Sequence, residues 1–320
     1  MTFSTESMRE TFGRTLVELG EKHENLVVLD ADLNTSTRTV LFKQRFPDRF
    51  IQCGIAEGNL LALAGGLATL GFVAVPATFT AFATRKALDQ IVMHVCAEKA
   101  NVKIAGSYPG MTAAECGPSH NSVEDLAVMR ALPHMRVVAP GDNADLAAFM
   151  REMVVYDGPV YFRVPRVERP AVLFDSDHRF QWGKGQVLKP GRDISLLGTG
   201  MMTAVALAAA EILAREGIQA EVVHMASIKP IDEALLVETA GRTGRVLTVE
   251  NGRVYGGFGG AVAESLSRLR PTPVEMLGIG DVEVEGGPLE HLLTHYRLTP
   301  RDVAARACAF CGASSAKEAV

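Results

Sequence analysis

No part of this chain has the uninterrupted apolar run needed to cross a bilayer, and its polar start, Met1-Thr-Phe-Ser-Thr-Glu-Ser-Met-Arg-Glu10, has none of the apolar stretch of a secretory signal. An excess of base is missing too. The 32 Lys and Arg against 37 Asp and Glu leave a net charge of −5, which removes the electrostatic footprint of a nucleic-acid binder. Cysteine is sparse and odd in number, five at positions 53, 96, 116, 308 and 311, which argues against a disulfide framework and for reduced thiols. Cytoplasm is the expected compartment. Cys308-Ala-Phe-Cys311 has the spacing of a redox or zinc pair, but it stands beside a small-residue tail with no second ligand pair nearby. The spacing alone is read as coincidence.

What the chain does have is size and apolar content: 320 residues, 48% hydrophobic, enough for two domains with real cores. Short β-branched runs alternate with helical stretches, the pattern of parallel strands crossed over by helices. The expected strands are 25–29, 72–76, 102–105, 136–139, 160–163, 194–198, 220–225, 245–249 and 273–278. The expected helices include 8–22, 57–70, 82–97, 142–155, 200–216, 232–241 and 258–268. This is an α/β chain of two doubly wound domains. Two prolines, several charges and two glycines interrupt the pattern between Val164 and Gly185. The domains are therefore placed at 1–170 and 188–320, with a linker over 171–187.

Two glycine turns in the second half bear on chemistry. Ser195-Leu-Leu-Gly-Thr-Gly-Met-Met-Thr203 resembles the opening of a dinucleotide-binding unit only weakly: Thr203 stands at the third glycine position and His224 where a ribose-binding carboxylate belongs. Gly256-Gly-Phe-Gly-Gly260 reads as close strand-to-helix packing. In the first half, four polar spots lie at or just past the C-terminal ends of strands, where doubly wound sheets place ligands. They are Leu29 to Ser36, Gly54 to Glu57, Ala77 to Arg85 and Glu115 to His120. Each has a bland reading, as a cap, core or surface residue. Glu57 is the least easily explained, since it opens an apolar helix with no Lys or Arg near it in sequence, and a buried carboxylate without a partner costs several kcal/mol.

Jointly these spots resemble one family. Gly54-Ile-Ala-Glu57, Thr78-Phe79-Thr-Ala-Phe82, Gly117-Pro-Ser-His120 and Leu132-Pro-His-Met-Arg-Val-Val-Ala-Pro140 look like the pyrimidine-binding domain of transketolases, and Ile228-Lys-Pro230 with Val249-Glu-Asn-Gly252 like their C-terminal domain. The resemblance implies thiamine diphosphate as cofactor. It implies that Glu57 shares a proton with the N1′ nitrogen of the aminopyrimidine, favouring the imino form whose 4′ nitrogen removes the thiazolium C2 proton. Phe79 and Phe82 would form the apolar wall for the pyrimidine. Asp32, Leu33 and Arg85 are also implied at the cofactor, and His120 at the reacting carbon. Arg9, Ser36 and Arg163 match positions that bind a sugar phosphate. Gly58, Ala62, Gly65 and Gly66 would let helices of two chains approach.

Two positions depart from the family's pattern, Cys116 in place of Asp and Tyr108 in place of His, both in substrate recognition. The family's Gly-Asp-Gly motif with a downstream Asn, which holds Mg²⁺ and the diphosphate, is missing: Pro140-Gly-Asp-Asn143 and Ile279-Gly-Asp-Val282 lack the second Gly. The resemblance therefore implies no metal ligand in this chain. It implies the small subunit of a split transketolase that moves a two-carbon ketol unit from a ketose to an aldose, phosphorylated or not. An N-terminal, diphosphate-binding subunit would supply the Mg²⁺ site, in a dimer of heterodimers. The beta subunit of a 2-oxo acid dehydrogenase is the alternative, and a non-catalytic assembly partner a third; Gly117-Pro-Ser-His120 and the Thr-Phe-x-x-Phe run favour transketolase.

Overall fold

The computed structural model describes residues 1–312; residues 313–320, which hold the tail beyond the cysteine pair and the last stretch of the expected second domain, lie outside the described residues. The chain lays down its first six strands as β1 (Leu26–Asp30), β2 (Phe50–Gln52), β3 (Val73–Phe79), β4 (Lys103–Ser107), β5 (Arg136–Val138) and β6 (Val160–Val164). Six more follow: β7 (Gln186–Lys189), β8 (Ile194–Gly198), β9 (Ala220–His224), β10 (Ser227–Lys229), β11 (Val246–Arg253) and β12 (Val274–Ile279).

These strands form two sheets. One has seven strands in the order β10-β5-β6-β4-β3-β1-β2, the other five in the order β12-β11-β8-β9-β7. Pairing is parallel throughout except at β10 against β5 and β7 against β9. The central strands β1, β3, β4, β6 and β8 are buried at every residue, because helices cover both faces of each sheet.

The helix Met8–Lys22 illustrates the local rules. Ser7 accepts from the Glu10 backbone N–H at its start, Glu10 sits in the first turn and Lys22 in the last, and Met8, Phe12, Leu16 and Leu19 fall on one buried stripe. Phe12 then packs with Phe42, Phe149 and Phe162 under the seven-stranded sheet. On that sheet's other face Leu60, Ala64, Ile91, Val95 and Val137 share one core with Met225, Ile228 and Leu236 of the second half.

The nine expected strands are present within a few residues of their expected ends, and the expected doubly wound α/β plan is the observed one. Three strands carry no readable pattern. β2 and β10 are three residues long, and β7 begins at Gln186, inside the expected linker. β10 belongs by sequence to the second half yet closes the edge of the first sheet, so the sheets do not divide where the sequence does. The expected helix 82–97 is also different: two wide π turns, Phe82–Lys86 and Ile91–Cys96, flank a short α turn. The second π turn runs against the helix Glu57–Thr69 so closely that a Cβ on Gly65 would lie 2.4 Å from the His94 carbonyl oxygen. Gly65 thus serves a contact inside this chain, whereas Gly66 faces open space.

Candidate active site

Because β2, β1, β3, β4 and β6 run parallel side by side, the residues that leave their C-terminal ends converge on one edge of the sheet. Asp32 and Leu33 follow β1, Glu57 follows β2, Phe79 ends β3, and Tyr108 follows β4. The Asp32 backbone stands at φ 64°, in the left-handed region that Asp tolerates better than most residues. Beneath it, buried Asp30 accepts from the Leu33 N–H at 2.6 Å and from the Thr37 and Thr39 hydroxyls at 2.8 and 2.9 Å, which fixes the loop. Burial pushes the Asp30 carboxyl up against the pull of these donors.

An aromatic cluster lies at the centre of the edge. Phe79 stacks on Tyr108 with ring centroids 4.5 Å apart, and Leu33, Phe82 and Ala113 pack around the pair. His120 presents its ring at 5.7 Å to Phe79 and 5.1 Å to Phe82, both edge-on, and its Nδ1 shares a hydrogen bond of 2.8 Å with the Ser119 hydroxyl. That bond leaves Nε2 as the ring atom available to a ligand. Tyr108 is held at φ 60°, a conformation that costs a non-glycine residue about 1 to 3 kcal/mol and that clusters at functional sites.

Glu57 opens the helix Glu57–Thr69 and is only 5% exposed. A cation does approach it, although none is near in sequence: Lys86, at the end of the first π turn, brings its Nζ to 3.5 Å from the carboxylate and to 4.1 Å from the centre of the Phe82 ring. No hydrogen bond to the Glu57 carboxylate forms among the described residues. A buried carboxylate left without a hydrogen-bond donor can accept from the N–H of a ligand, and the aromatic cluster offers such a ligand an apolar face.

Of the three arginines expected at ligands, Arg85 and Arg163 have their donors taken by the protein. Arg85 donates to Glu124, to the Pro118 carbonyl and to the Asn121 carbonyl, and so clamps the loop that carries His120. Arg163 is buried, and its guanidinium grips both oxygens of Asp125 and donates to the Asn251 carbonyl at 3.0 Å. Both therefore support the site from behind, because a buried carboxylate and unpaired loop carbonyls demand their N–H groups first. Arg9 does reach the edge, with donors on Tyr108 and on the Ser36 carbonyl; the Ser36 backbone, and not its hydroxyl, is what Arg9 touches. Cys116 is exposed on the short turn Ala114–Cys116 before Gly117.

The glycine turns of the second half are filled by protein groups. Thr203 shares a hydrogen bond with His224 Nδ1 at 2.7 Å, and a Cβ on Gly198 would meet Thr203. At Gly256-Gly-Phe-Gly-Gly260, the Glu250 carboxylate accepts from the Phe258 and Gly259 N–H groups at 2.9 and 2.8 Å, standing where a ligand anion would sit. Burial pushes Glu250 up to about 7. Of the two Gly-Asp strings, Asp142 caps the helix Asn143–Val155 and also accepts from Leu173 and Phe174 N–H groups, while Asp281 is almost fully exposed.

One cluster escaped the sequence reading. Buried Asp145 accepts from His224 Nε2 at 2.9 Å, from His178 Nε2 at 3.1 Å and from the Gly141 N–H at 2.8 Å, pinning β9 and the connecting segment to the first half. Nothing in the spacing 145, 178, 224 signals it. Among the described residues no group of His, Cys, Asp and Glu is placed to hold a metal ion, and no helix is long and apolar enough to cross a membrane.

Comparisons with known proteins match nearly the whole chain. Residues 4–170 match the family "Transketolase, pyrimidine binding domain" and residues 183–303 match "Transketolase, C-terminal domain". A "Putative transketolase C-terminal section" from Methanocaldococcus jannaschii is 42% identical over 93% of this chain and 94% of its own length. A "6-deoxy-6-sulfo-D-fructose transketolase subunit SqwH" from Clostridium sp. (strain MSTE9) is 41% identical over 92% of each. Among solved structures, "Split gene transketolase, inactive beta4 tetramer" superposes with a TM-score of 0.88 at 45% identity, covering 97% of this chain and 99% of its own.

Proposed function

The chain belongs to the transketolase family, and we propose that it is the pyrimidine-holding subunit of a split transketolase, active with a second subunit that binds the diphosphate and Mg²⁺. The observation that carries the reading is Glu57: a nearly buried carboxylate at the sheet edge, without a hydrogen-bond donor of its own, linked through Lys86 to the Phe82 ring of the aromatic cluster. Thiamine diphosphate fits this donor set, since its aminopyrimidine offers a ring nitrogen to a carboxylate and a flat face to the phenylalanines. When bound, the cofactor supplies the carbon nucleophile for the ketol unit.

This chain's residues do the rest. Glu57 holds the proton at the ring nitrogen, in surroundings dry enough to strengthen that bond. Phe79 and Phe82 keep water from it. His120, oriented by Ser119 and by the Arg85 clamp on its loop, turns Nε2 to the substrate oxygens and moves protons there. Asp32 and Leu33 flank the same edge, on a loop set by Asp30. Arg9 faces the distal end of the sugar. Ile55, Leu63, Leu70 and Met93 around the Glu57 helix are exposed, an apolar face of the kind that marks a partner surface.

The test is reconstitution. The purified chain should bind thiamine diphosphate weakly and transfer no ketol unit, and transfer should appear on mixing with a subunit that carries the diphosphate and metal ligands. Robust turnover by the single chain would refute the split-subunit reading.

A further inference from the structure

We propose that the second half of the chain is the frame that holds the His120 loop in its working position, and that Asn251 and Tyr296 are the positioning residues, one at the neck of the loop and one behind its tip. This rests on the transketolase reading above, under which His120 meets the substrate. Its basis is where the hydrogen bonds of that loop go.

The segment from Gly110 to Ser122, which carries Cys116 and His120, is closed at its neck: the Gly110 N–H donates to the Ser122 carbonyl at 2.8 Å, and the Ser122 N–H to the Gly110 carbonyl at 3.0 Å. Asn251, near the end of β11, is 3% exposed and sits against this neck. Its Oδ1 accepts from the Met111 N–H at 3.0 Å. Its carbonyl oxygen accepts from Arg163 Nη1 at 3.0 Å, so the buried pair of Arg163 with Asp125 fixes Asn251 in turn. Only glycine allows this approach: Gly110 stands at φ 61°, and a Cβ there would lie 2.3 Å from the Asn251 carbonyl oxygen. Two residues along β11, the Arg253 N–H donates to the Val123 carbonyl at 2.6 Å and ties down the chain that leaves the neck.

The tip is met by the segment between β12 and the helix Leu289–His295. Asn121, next to His120, donates from Nδ2 to the Glu285 carbonyl at 3.3 Å, and the Gly287 N–H donates to the Ala114 carbonyl at 3.4 Å. Between them Gly286 lies against the turn at Gly117, where a Cβ on Gly286 would come within 3.2 Å of the Gly117 Cα. That turn aims His120, whose N–H donates to the Gly117 carbonyl at 3.0 Å. Tyr296 fixes the segment from behind: its hydroxyl accepts from the Glu285 N–H at 3.1 Å and donates to the Glu283 carbonyl at 3.2 Å. Arg85 grips the loop from the first half at the Pro118 and Asn121 carbonyls, so the loop is held between the two halves. A ring that must bring Nε2 to a substrate oxygen needs this hold, because a misplacement of about 1 Å is enough to cost rate.

Hydrogen exchange and kinetics together test this. In the purified full chain, amide exchange of the peptide spanning residues 109–123, read by mass spectrometry, should speed up about tenfold in Asn251→Ala and about threefold in Tyr296→Phe, as for the loss of a buried and of a half-buried hydrogen bond, while the central strands exchange as in wild type. In the reconstituted enzyme the same variants should lower kcat for ketol transfer by similar factors with KM nearly unchanged. Exchange of the cofactor's C2 proton, which is the task of Glu57, should stay at the wild-type rate. In a His120→Gln background either change should cost less than about twofold more, since a residue that acts through His120 then has nothing left to position. Tyr296→Phe removes one half-buried hydroxyl and carries the test alone if Asn251→Ala does not fold. Unchanged exchange of the loop, a C2 exchange rate that falls with kcat, or losses that multiply with that of His120→Gln would overturn the assignment. A reconstituted enzyme that transfers no ketol unit from any sugar would defeat the functional reading instead, and hydrogen exchange then decides whether the second half frames the loop.

Discussion

Replacing Arg163 by Ala separates a structural arginine from a substrate-binding one. The side chain is 6% exposed, and its Nε and one Nη donate to the two oxygens of Asp125, whose side chain is fully buried. Truncation leaves the Asp125 carboxylate inside the protein with the Tyr161 hydroxyl, at 2.5 Å, as its remaining side-chain donor, and strips the Asn251 carbonyl of its arginine. Breaking one partner out of a buried pair costs about 3 to 5 kcal/mol. For a chain of this length about 2 °C of melting temperature goes with each kcal/mol, so the midpoint should fall by about 6 to 10 °C. The double variant Asp125→Leu with Arg163→Met removes both charges at similar volume and should recover much of the loss, short of the cost of the unpaired Tyr161 hydroxyl. Calorimetry at neutral pH on wild type, single and double variants reads this directly. A single variant that melts within a degree or two of wild type, together with a KM raised for phosphorylated sugars alone, would refute the reasoning and return Arg163 to the substrate.

Glu57→Gln keeps the size of the side chain but gives up its charge, so exchange of the cofactor's C2 proton in the reconstituted enzyme should slow by about 10² or more, as general acid and base steps typically contribute that much. Near-normal deuterium exchange by quenched-flow NMR in an intact, cofactor-loaded variant would make Glu57 a structural carboxylate only. Acid should loosen the join between the halves at Asp145: burial raises its carboxyl, but the hydrogen bonds from His178 and His224 outweigh burial and hold it well below the usual 3.8. A depressed carboxylate contributes stability that is present above its unfolded value and lost as pH falls below it, by up to about 1.4 kcal/mol per pH unit. Urea midpoints should therefore fall between pH 5 and 3 more steeply for wild type than for Asp145→Asn; equal slopes would contradict the assignment.

The alternation of β-branched runs with helical stretches was enough to place nine strands and the doubly wound class, because fully buried parallel strands must be apolar along their whole length. Glu57 was legible for the opposite reason, as a carboxylate where an apolar helix begins, a local conflict that folds keep only where something offsets it. Distance along the chain hid the rest. β10 has three residues and no pattern, and becomes a strand only because β5 offers it an edge. Lys86 reaches Glu57, and Asp145 meets His178 and His224, through packing that brings separated elements together, and no spacing rule encodes such meetings. The same holds for the arginines. By residue type Arg9, Arg85 and Arg163 are equally fit to bind an anion, and tertiary structure sorted them, since a guanidinium goes first to the buried carboxylate or unpaired carbonyl that has no water to turn to. Asp125 claimed Arg163, the His120 loop claimed Arg85, and at the sheet edge Arg9 kept its Nε unpaired.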